Sequence, residues 1–286
     1  GGLVLEPSVG AGNFVGMMPG KFKAGTYLTG VELDRVTGGI AKNLYPHANI
    51  QAPLGFQDLT VPDGYFALAI GNPPFGSERI YDAERRALNK FSIYNFFFAK
   101  SIDAVKPGGA LAMVVTNYFL DAANPAARRY IADRADLIAA IRLPNNAFLK
   151  NAGTEVTTDI IVLRKRASNE GEKINTGWTD TGTFKDKEGR EVPLNRYFLD
   201  HPEMMLGDFG AYGTMYGGAP GPALVARPGD DLPALLQAAV NKLPADIMAP
   251  PSVVVRETVA VPDNVRDALV GSAFLSPDGA VFVRQP

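Results

Sequence analysis

The sequence predicts an α/β fold: a mostly parallel seven-stranded sheet with an antiparallel final hairpin, helices on both faces, and a smaller irregular C-terminal appendage. Three observations predict it. Through residues 1–166, short apolar runs of strand length alternate with amphipathic stretches, the pattern of a parallel sheet wrapped by helices. The last two of these runs have no helical stretch between them, so they are expected to pair as an antiparallel hairpin closed by the loop 144–155. Beyond Arg166 the alternation stops and polar, Gly-rich and Pro-rich segments take over.

The first strand is expected over residues 3–6, where Leu3-Val4-Leu5 runs into Glu6-Pro7 and a turn carrying Gly10 and Gly12; a helix over 12–17 follows. The second strand, 27–32, ends on Glu32, and 35–44 is amphipathic at helical spacing. A short third strand spans 49–52. The fourth, Phe66-Ala67-Leu68-Ala69-Ile70, stops at Asn72-Pro73-Pro74-Phe75, because two successive prolines end any ladder. A helix over 92–105 meets a stop signal and turn at Lys106-Pro107-Gly108-Gly109, and the apolar run 110–116 is the fifth strand. A helix over 125–132 precedes the sixth strand, 137–142, and 156–164 is the seventh.

After Arg166, the polar runs 168–173 and 186–191 read as linker or hairpin turn. Residues 206–232 are crowded with Gly and Pro and are expected as loop or extended crossing segment, outside the core. A helix over 232–243 and strands near 253–261 and 280–284 complete the chain, the last strand after the turn Ser276-Pro277-Asp278-Gly279.

The formal net charge of −2 hides an asymmetry: residues 1–166 carry 18 Lys/Arg against 14 Asp/Glu, leaving 10 against 16 for the remainder. The first part is mildly basic, compatible with a polyanionic partner and well short of a dense nucleic-acid patch. The absence of cysteine excludes disulfides, thiolate metal sites and cysteine nucleophiles, and points to the cytoplasm. With two histidines, His47 and His201, a multi-histidine metal site is excluded and no metal is expected. No apolar run approaches the roughly 20 residues of a membrane span. The chain starts inside a core strand without Met, so a piece of a longer polypeptide is expected.

The chemistry concentrates at strand ends. Gly10-x-Gly12 permits a close backbone approach to a ligand, but the spacing to Gly16 departs from the dinucleotide fingerprint, so NAD is not favoured. Glu6 at the first strand end would repel a pyrophosphate and suits an ammonium group; a cofactor with an amino-acid tail and no phosphates fits better. Glu32 lies about 20 residues past the Gly-rich turn, where an acid commonly binds ribose hydroxyls. Asp58, after the third strand, could accept from an adenine amino group. Each of these acids could equally be a solvated strand end.

Asn72-Pro73-Pro74-Phe75 reads either as a rigid turn or as a site that activates a planar nitrogen. Such a nitrogen is a poor nucleophile because its lone pair is delocalised. The Asn72 side-chain oxygen and the Pro73 carbonyl could each accept one N–H, Pro74 fixes the backbone without adding a donor, and Phe75 offers a ring face for stacking. The reaction would be an in-line methyl transfer from a sulfonium.

Together these residues resemble the class I S-adenosylmethionine-dependent methyltransferases, whose fold is Rossmann-like, and within them the gamma-type enzymes that methylate adenine N6 in DNA. Leu5-Glu6-Pro7-Ser8-Val9-Gly10-Ala11-Gly12 resembles the first motif of that family and Asn72-Pro73-Pro74-Phe75 its catalytic motif. Tyr94-Asn95-Phe96-Phe97-Phe98-Ala99-Lys100 followed by Lys106-Pro107-Gly108-Gly109-Ala110-Leu111-Ala112-Met113-Val114-Val115 resembles the helix and strand that follow the catalytic loop, and Arg142-Leu143-Pro144-Asn145-Asn146-Ala147-Phe148, with Thr154-Glu155-Val156-Thr157-Thr158-Asp159 after it, resembles the loop between the last two strands.

The resemblance implies S-adenosyl-L-methionine as cofactor, held by Glu6, Pro7, Gly10, Gly12, Glu32, Asp58 and Asn72. It also implies DNA as partner, catalysis by Asn72, Pro73, Pro74 and Phe75, and a flipped-out base packed by Phe75 and Phe148; Phe148 could equally be a buried loop anchor. Residues 1–166 would be the methyltransferase domain, and 167–286 a linker and partial accessory or target-recognition region. The segment from Leu194 to Met204 is similar to one found in large methylase–helicase proteins of phages and plasmids. The family's further motif, upstream of the first strand, is not in this sequence, so weak cofactor binding is expected.

Asp63, Glu78, Asp82 and Glu84 read as a solvated surface near the catalytic loop. The same tetrapeptide pattern also occurs in enzymes that methylate guanine N2 of ribosomal RNA or a protein glutamine amide. A noncatalytic DNA-binding module on this scaffold is the remaining alternative.

Overall fold

The computed structural model describes residues 2–167, 176–213, 221–248, 273–275 and 281–283. Seven strands form one sheet: β1 Gly2–Glu6, β2 Thr26–Val31, β3 Asn49–Gln51, β4 Phe66–Gly71, β5 Val105–Thr116, β6 Ala135–Leu143 and β7 Thr158–Lys165. Their order is β3-β2-β1-β4-β5-β7-β6. Neighbours from β3 to β5 are parallel, whereas β7 runs antiparallel to both β5 and β6. The final hairpin is therefore as expected, with its second strand inserted inside the first. The arrangement is the mostly parallel, Rossmann-like sheet that the sequence predicts.

The crossovers are filled by α1 Asn13–Met17, α2 Gly20–Lys23, α3 Arg35–Leu44, α4 Ile93–Ala104, α5 Tyr118–Asp121 and α6 Ala126–Ala132, with α7 Leu149–Ala152 in the hairpin loop. Going from β1 to β3 the chain steps one way along the sheet, and from β4 to β5 it steps the other way. Right-handed crossovers therefore place α1 and α3 on one face and α4 on the opposite one. The packing agrees: Val4, Val15, Leu28, Ala41 and Ile50 form one cluster, while Leu5, Phe66, Phe96, Phe98 and Leu111 belong to the other. Adjacent Val4 and Leu5 point to opposite faces, as the pleat requires.

Lys106-Pro107-Gly108-Gly109 does not separate helix from strand. α4 ends at Ala104, Val105 already pairs with Phe66, and pairing resumes at Ala110 opposite Leu68. The turn signal is thus seated as a bulge inside β5, with Gly108 at φ 72°.

The chain after Arg166 continues with the hairpin β8 Thr181–Lys185 and β9 Glu191–Asn195, then α8 Arg196–Asp200. Of the run 186–191, residues 186–190 form its turn and Glu191 opens β9. A second hairpin, β10 Asp208–Gly213 and β11 Gly221–Val225, precedes α9 Leu232–Val240; β12 Ala273–Leu275 pairs with β13 Val281–Val283. Expected features at 168–173, 253–261 and 276–279 lie outside the described residues.

One expectation for this region is overturned. Part of 206–232 belongs to the core: among the described residues Leu206 is buried, and so are Phe209, Ala223 and Leu224 of the β10–β11 hairpin. Glycine here is a packing residue; a side chain at Gly207 would stand 2.4 Å from the Val225 carbonyl oxygen.

A buried ionic joint fastens this segment to the sheet. Arg142, fully buried, donates from Nε and Nη2 to the two Asp159 oxygens, both at 2.8 Å, and its Nη1 lies 2.8 Å from Asp121 Oδ2. Its guanidinium stacks 4.3 Å from the Phe198 ring, and its carbonyl accepts from the Leu206 N–H at 2.9 Å. Asp121 in turn accepts from the Asn195 N–H at 2.9 Å. Trp178, Phe198 and Phe209 consequently share the main core with β6 and α6.

Candidate active site

Because β1 to β4 are parallel, their carboxyl ends share one edge, and Glu6, Glu32, Asp58 and Asn72 follow those ends in turn. The loop leaving β1 is built from main-chain bonds. Val9 N–H donates to the Val31 carbonyl at 2.8 Å, and Gly12 N–H to the Val9 carbonyl at 2.9 Å. Glu32 fastens the loop from the side: one oxygen accepts the Gly10 N–H at 2.9 Å, the other the Asp34 N–H at 2.8 Å. Each oxygen keeps a further lone pair for a ligand hydroxyl.

Gly10 and Gly12 both have positive φ, 55° and 90°, but for different neighbours. A Cβ on Gly10 would meet nothing within 4 Å, so the space beside it is open. At Gly12 the intruding partner is protein, not a ligand: a Cβ would fall 2.3 Å from the Tyr45 ring. Tyr45 escaped the sequence reading, since nothing local links residue 45 to the Gly-rich turn.

Glu6 is 1% exposed, and its Oε2 is buried without a hydrogen-bond partner. Burial in this apolar setting pushes its carboxyl up to about 8. An isolated buried carboxylate is costly unless a cation or donor meets it.

Asn72 and Phe75 are exposed, Phe75 to 40%, while Pro73 is buried. Ser8 Oγ donates to the Asn72 carbonyl at 3.0 Å, tying the Gly-rich loop to the tetrapeptide. Pro7 lies against the end of β4, its Cδ 3.4 Å from where a Gly71 Cβ would stand. Among the described residues, no hydrogen bond engages the Asn72 side chain or the Pro73 carbonyl. Both acceptors are therefore without a protein partner, and the Asn72 residue is open to solvent.

Asp58 is exposed at the end of the 3-10 turn Phe56–Asp58, with one oxygen taking the Gln57 amide at 2.9 Å. Phe56 anchors that turn on α4, its ring 4.9 Å from Phe97 and 6.2 Å from Phe96.

Of the four acids around this loop, Asp63, Glu78 and Glu84 are exposed as expected, whereas Asp82 is not. Asp82 is 1% exposed and pairs at 2.8 Å with Lys100, equally buried. Asp63 pairs with Arg85 at 2.6 Å, and Glu84 accepts from Thr60 at 3.3 Å. Glu78 is exposed and contributes its main-chain carbonyl to the Ile93 N–H at 2.8 Å. The signal for the buried pair was Lys100 itself: an ammonium at the end of Phe96-Phe97-Phe98-Ala99 requires a buried counter-ion.

Phe148 lies between β6 and α7, half-buried, and packs against the main core. His201 leans on Tyr197 with ring centroids 4.7 Å apart, and His47 meets Tyr45 edge-on at 6.4 Å. Among the described residues no three His, Cys, Asp or Glu side chains cluster as metal ligands, and no helix is long and apolar enough to cross a membrane.

Residues 39–148, from α3 through the tetrapeptide to Phe148, match the family model described as Eco57I restriction-modification methylase. The defense against restriction protein B of Escherichia phage P1 is 29% identical over 205 residues, covering 66% of this chain. The chain spans 9% of that relative's length. Among solved structures, a Listeria monocytogenes protein described as a class I S-adenosylmethionine-dependent methyltransferase superposes with TM-score 0.48 and 19% identity, over 61% of this chain and 56% of that one. A modification subunit of a type I restriction enzyme from Vibrio vulnificus gives TM-score 0.48 and 15% identity, over 68% and 55%.

Proposed function

We propose that this chain transfers a methyl group from S-adenosylmethionine to the N6 amino group of adenine in DNA. The observation that carries the reading is the Ser8–Asn72 bond, which holds two free acceptors beside an open Gly10 loop and an unpartnered buried carboxylate. The match of residues 39–148 to a methylase family supports it, as does the phage relative, named for defence against restriction.

The residues fit the cofactor. The orphaned Glu6 Oε2 would receive its ammonium, the open side of Gly10 its chain, Glu32 its ribose hydroxyls and Asp58 its adenine amine. When bound, S-adenosylmethionine supplies an electrophilic methyl group on a sulfonium. The chain's own work is positioning. Asn72 Oδ1 and the Pro73 carbonyl each take an N–H of the target amine and draw its nitrogen towards tetrahedral geometry, which frees the lone pair for in-line attack. The proton is shed after transfer, when the methylated nitrogen is acidic. Phe75 stacks on the planar base, and its ring face stabilises the developing positive charge. The base must leave the helix first, because N6 within a duplex is engaged in pairing; Phe148 would pack against it from the hairpin loop.

Incubation with methyl-labelled S-adenosylmethionine and, separately, DNA, ribosomal RNA and protein extract tests the acceptor. The reading expects label on DNA alone, lost with Asn72→Ala. Label on RNA or protein, or on no substrate, would overturn it.

A further inference from the structure

We propose that Lys100 is a positioning residue that couples the Asp58 turn to the loop following Asn72-Pro73-Pro74-Phe75. The proposal rests on the function just given and adds a mechanical link between its cofactor and acceptor sides.

Lys100 projects from α4 into a site with no freedom. Its ammonium donates to the Gln57 carbonyl at 3.0 Å and to Asp82 Oδ2 at 2.8 Å, and it sits 5.2 Å and 5.9 Å from the Phe56 and Phe96 ring centroids. Gln57 is the chain neighbour of Asp58 in the same turn. Asp82 is the hub of the loop after the tetrapeptide. Its Oδ1 accepts from Glu84 N–H at 2.9 Å and Arg85 N–H at 2.8 Å, and its own N–H donates to Asn89 Oδ1 at 2.9 Å. Asn89 Nδ2 returns a bond to the Asp82 carbonyl at 3.1 Å.

One ammonium thus touches both loops. A buried ion pair is not needed for stability, because apolar groups of similar volume commonly serve as well. What it supplies here is registry. A displacement of the Asp58 turn moves the Gln57 carbonyl, hence Lys100, hence the hub carboxylate. Burial leaves the pair no water to exchange partners with, so the displacement is passed on and not absorbed. Burial also pulls the Lys100 ammonium below its ordinary range, and the hydrogen bonds that Asp82 accepts from Lys100, Arg85 and Glu84 hold its carboxyl below its own.

The test compares the full chain with Lys100→Met/Asp82→Asn. Methionine fills the space of the lysine stem, and asparagine keeps the oxygen that holds the Glu84 and Arg85 N–H groups, so no unpaired charge is left. Hydrogen exchange is followed with and without millimolar S-adenosylmethionine, alongside kcat and both KM values with DNA. In the parent, cofactor is expected to slow exchange at residues 56–58 and at 82–89. In the double variant the slowing stops at 56–58, KM for cofactor rises and kcat falls about fivefold or more, and KM for DNA holds. If that variant does not fold, Asp82→Asn alone carries the same expectation at about threefold. A folded variant that still transmits protection to 82–89 with unchanged constants overturns the coupling role. A parent that neither transfers methyl groups nor protects 56–58 overturns the methyltransferase reading itself.

Discussion

Replacing Glu6 by Gln removes a carboxylate that the fold holds without a partner, and the consequence is a change in how stability depends on pH. In the unfolded chain this group titrates near 4.5; in the folded protein burial raises it to about 8. Between those values the folded state retains a proton that the unfolded state has lost, so stability falls as pH rises. The contribution is fully present below the unfolded value and is lost as pH climbs to the folded one. Each pH unit in that window is worth up to about 1.4 kcal/mol, so the whole span is bounded by about 5 kcal/mol.

Glutamine keeps the shape and carries no titration. The Glu6→Gln protein is therefore expected to match the parent near pH 5 and to exceed it near pH 8, with a gap in melting temperature of about 5 °C or more. Thermal unfolding of both proteins across this range measures the gap. Parallel curves would refute the reasoning. The same carboxylate predicts that S-adenosylmethionine binding near pH 7 releases close to one proton, because a ligand ammonium needs the ionised form; calorimetry in buffers of different ionisation enthalpy reads it, and Glu6→Gln should release none.

Other outcomes follow from the same geometry. Arg142→Met strands the buried carboxylates of Asp159 and Asp121, and is expected to cost about 3–5 kcal/mol in urea denaturation; a loss under 1 kcal/mol would show the joint to be dispensable. Gly12→Ala forces a Cβ onto a left-handed residue and into the Tyr45 ring, so cofactor affinity should fall at least tenfold; truncating Tyr45 to Ala in the same chain should recover part of it, and no recovery would contradict the contact. Phe148→Ala should raise KM for DNA with cofactor affinity unchanged if the ring packs on the base. A drop in melting temperature with no change in KM would assign it to the core instead.

Much of the sheet was legible because each strand is a short apolar run bounded by a breaker, and the bare interval between the last two announced their antiparallel pairing. The shared edge of the candidate site was legible for the same reason: parallel strands put Glu6, Glu32, Asp58 and Asn72 there whatever the side chains do. What escaped depends on contacts distant in sequence. Nothing near Gly12 announces Tyr45, and nothing near Asp82 announces Lys100 except its own improbability in an aromatic helix. Residues 206–232 misled because Gly and Pro mark loops by local propensity, whereas Gly207 is required here by the Val225 carbonyl beside it. The Arg142 joint was equally hidden, its two aspartates lying 21 and 17 positions away.

The central claim is that the free Asn72 side chain and Pro73 carbonyl activate adenine N6. Nucleoside-resolved mass spectrometry of DNA incubated with the protein and methyl-labelled S-adenosylmethionine tests it most directly. The account predicts label in N6-methyladenine from the parent, and a loss of at least about a hundredfold with Asn72→Ala while cofactor binding persists. Label in N4-methylcytosine, or N6-methyladenine formed equally well by Asn72→Ala, would contradict it.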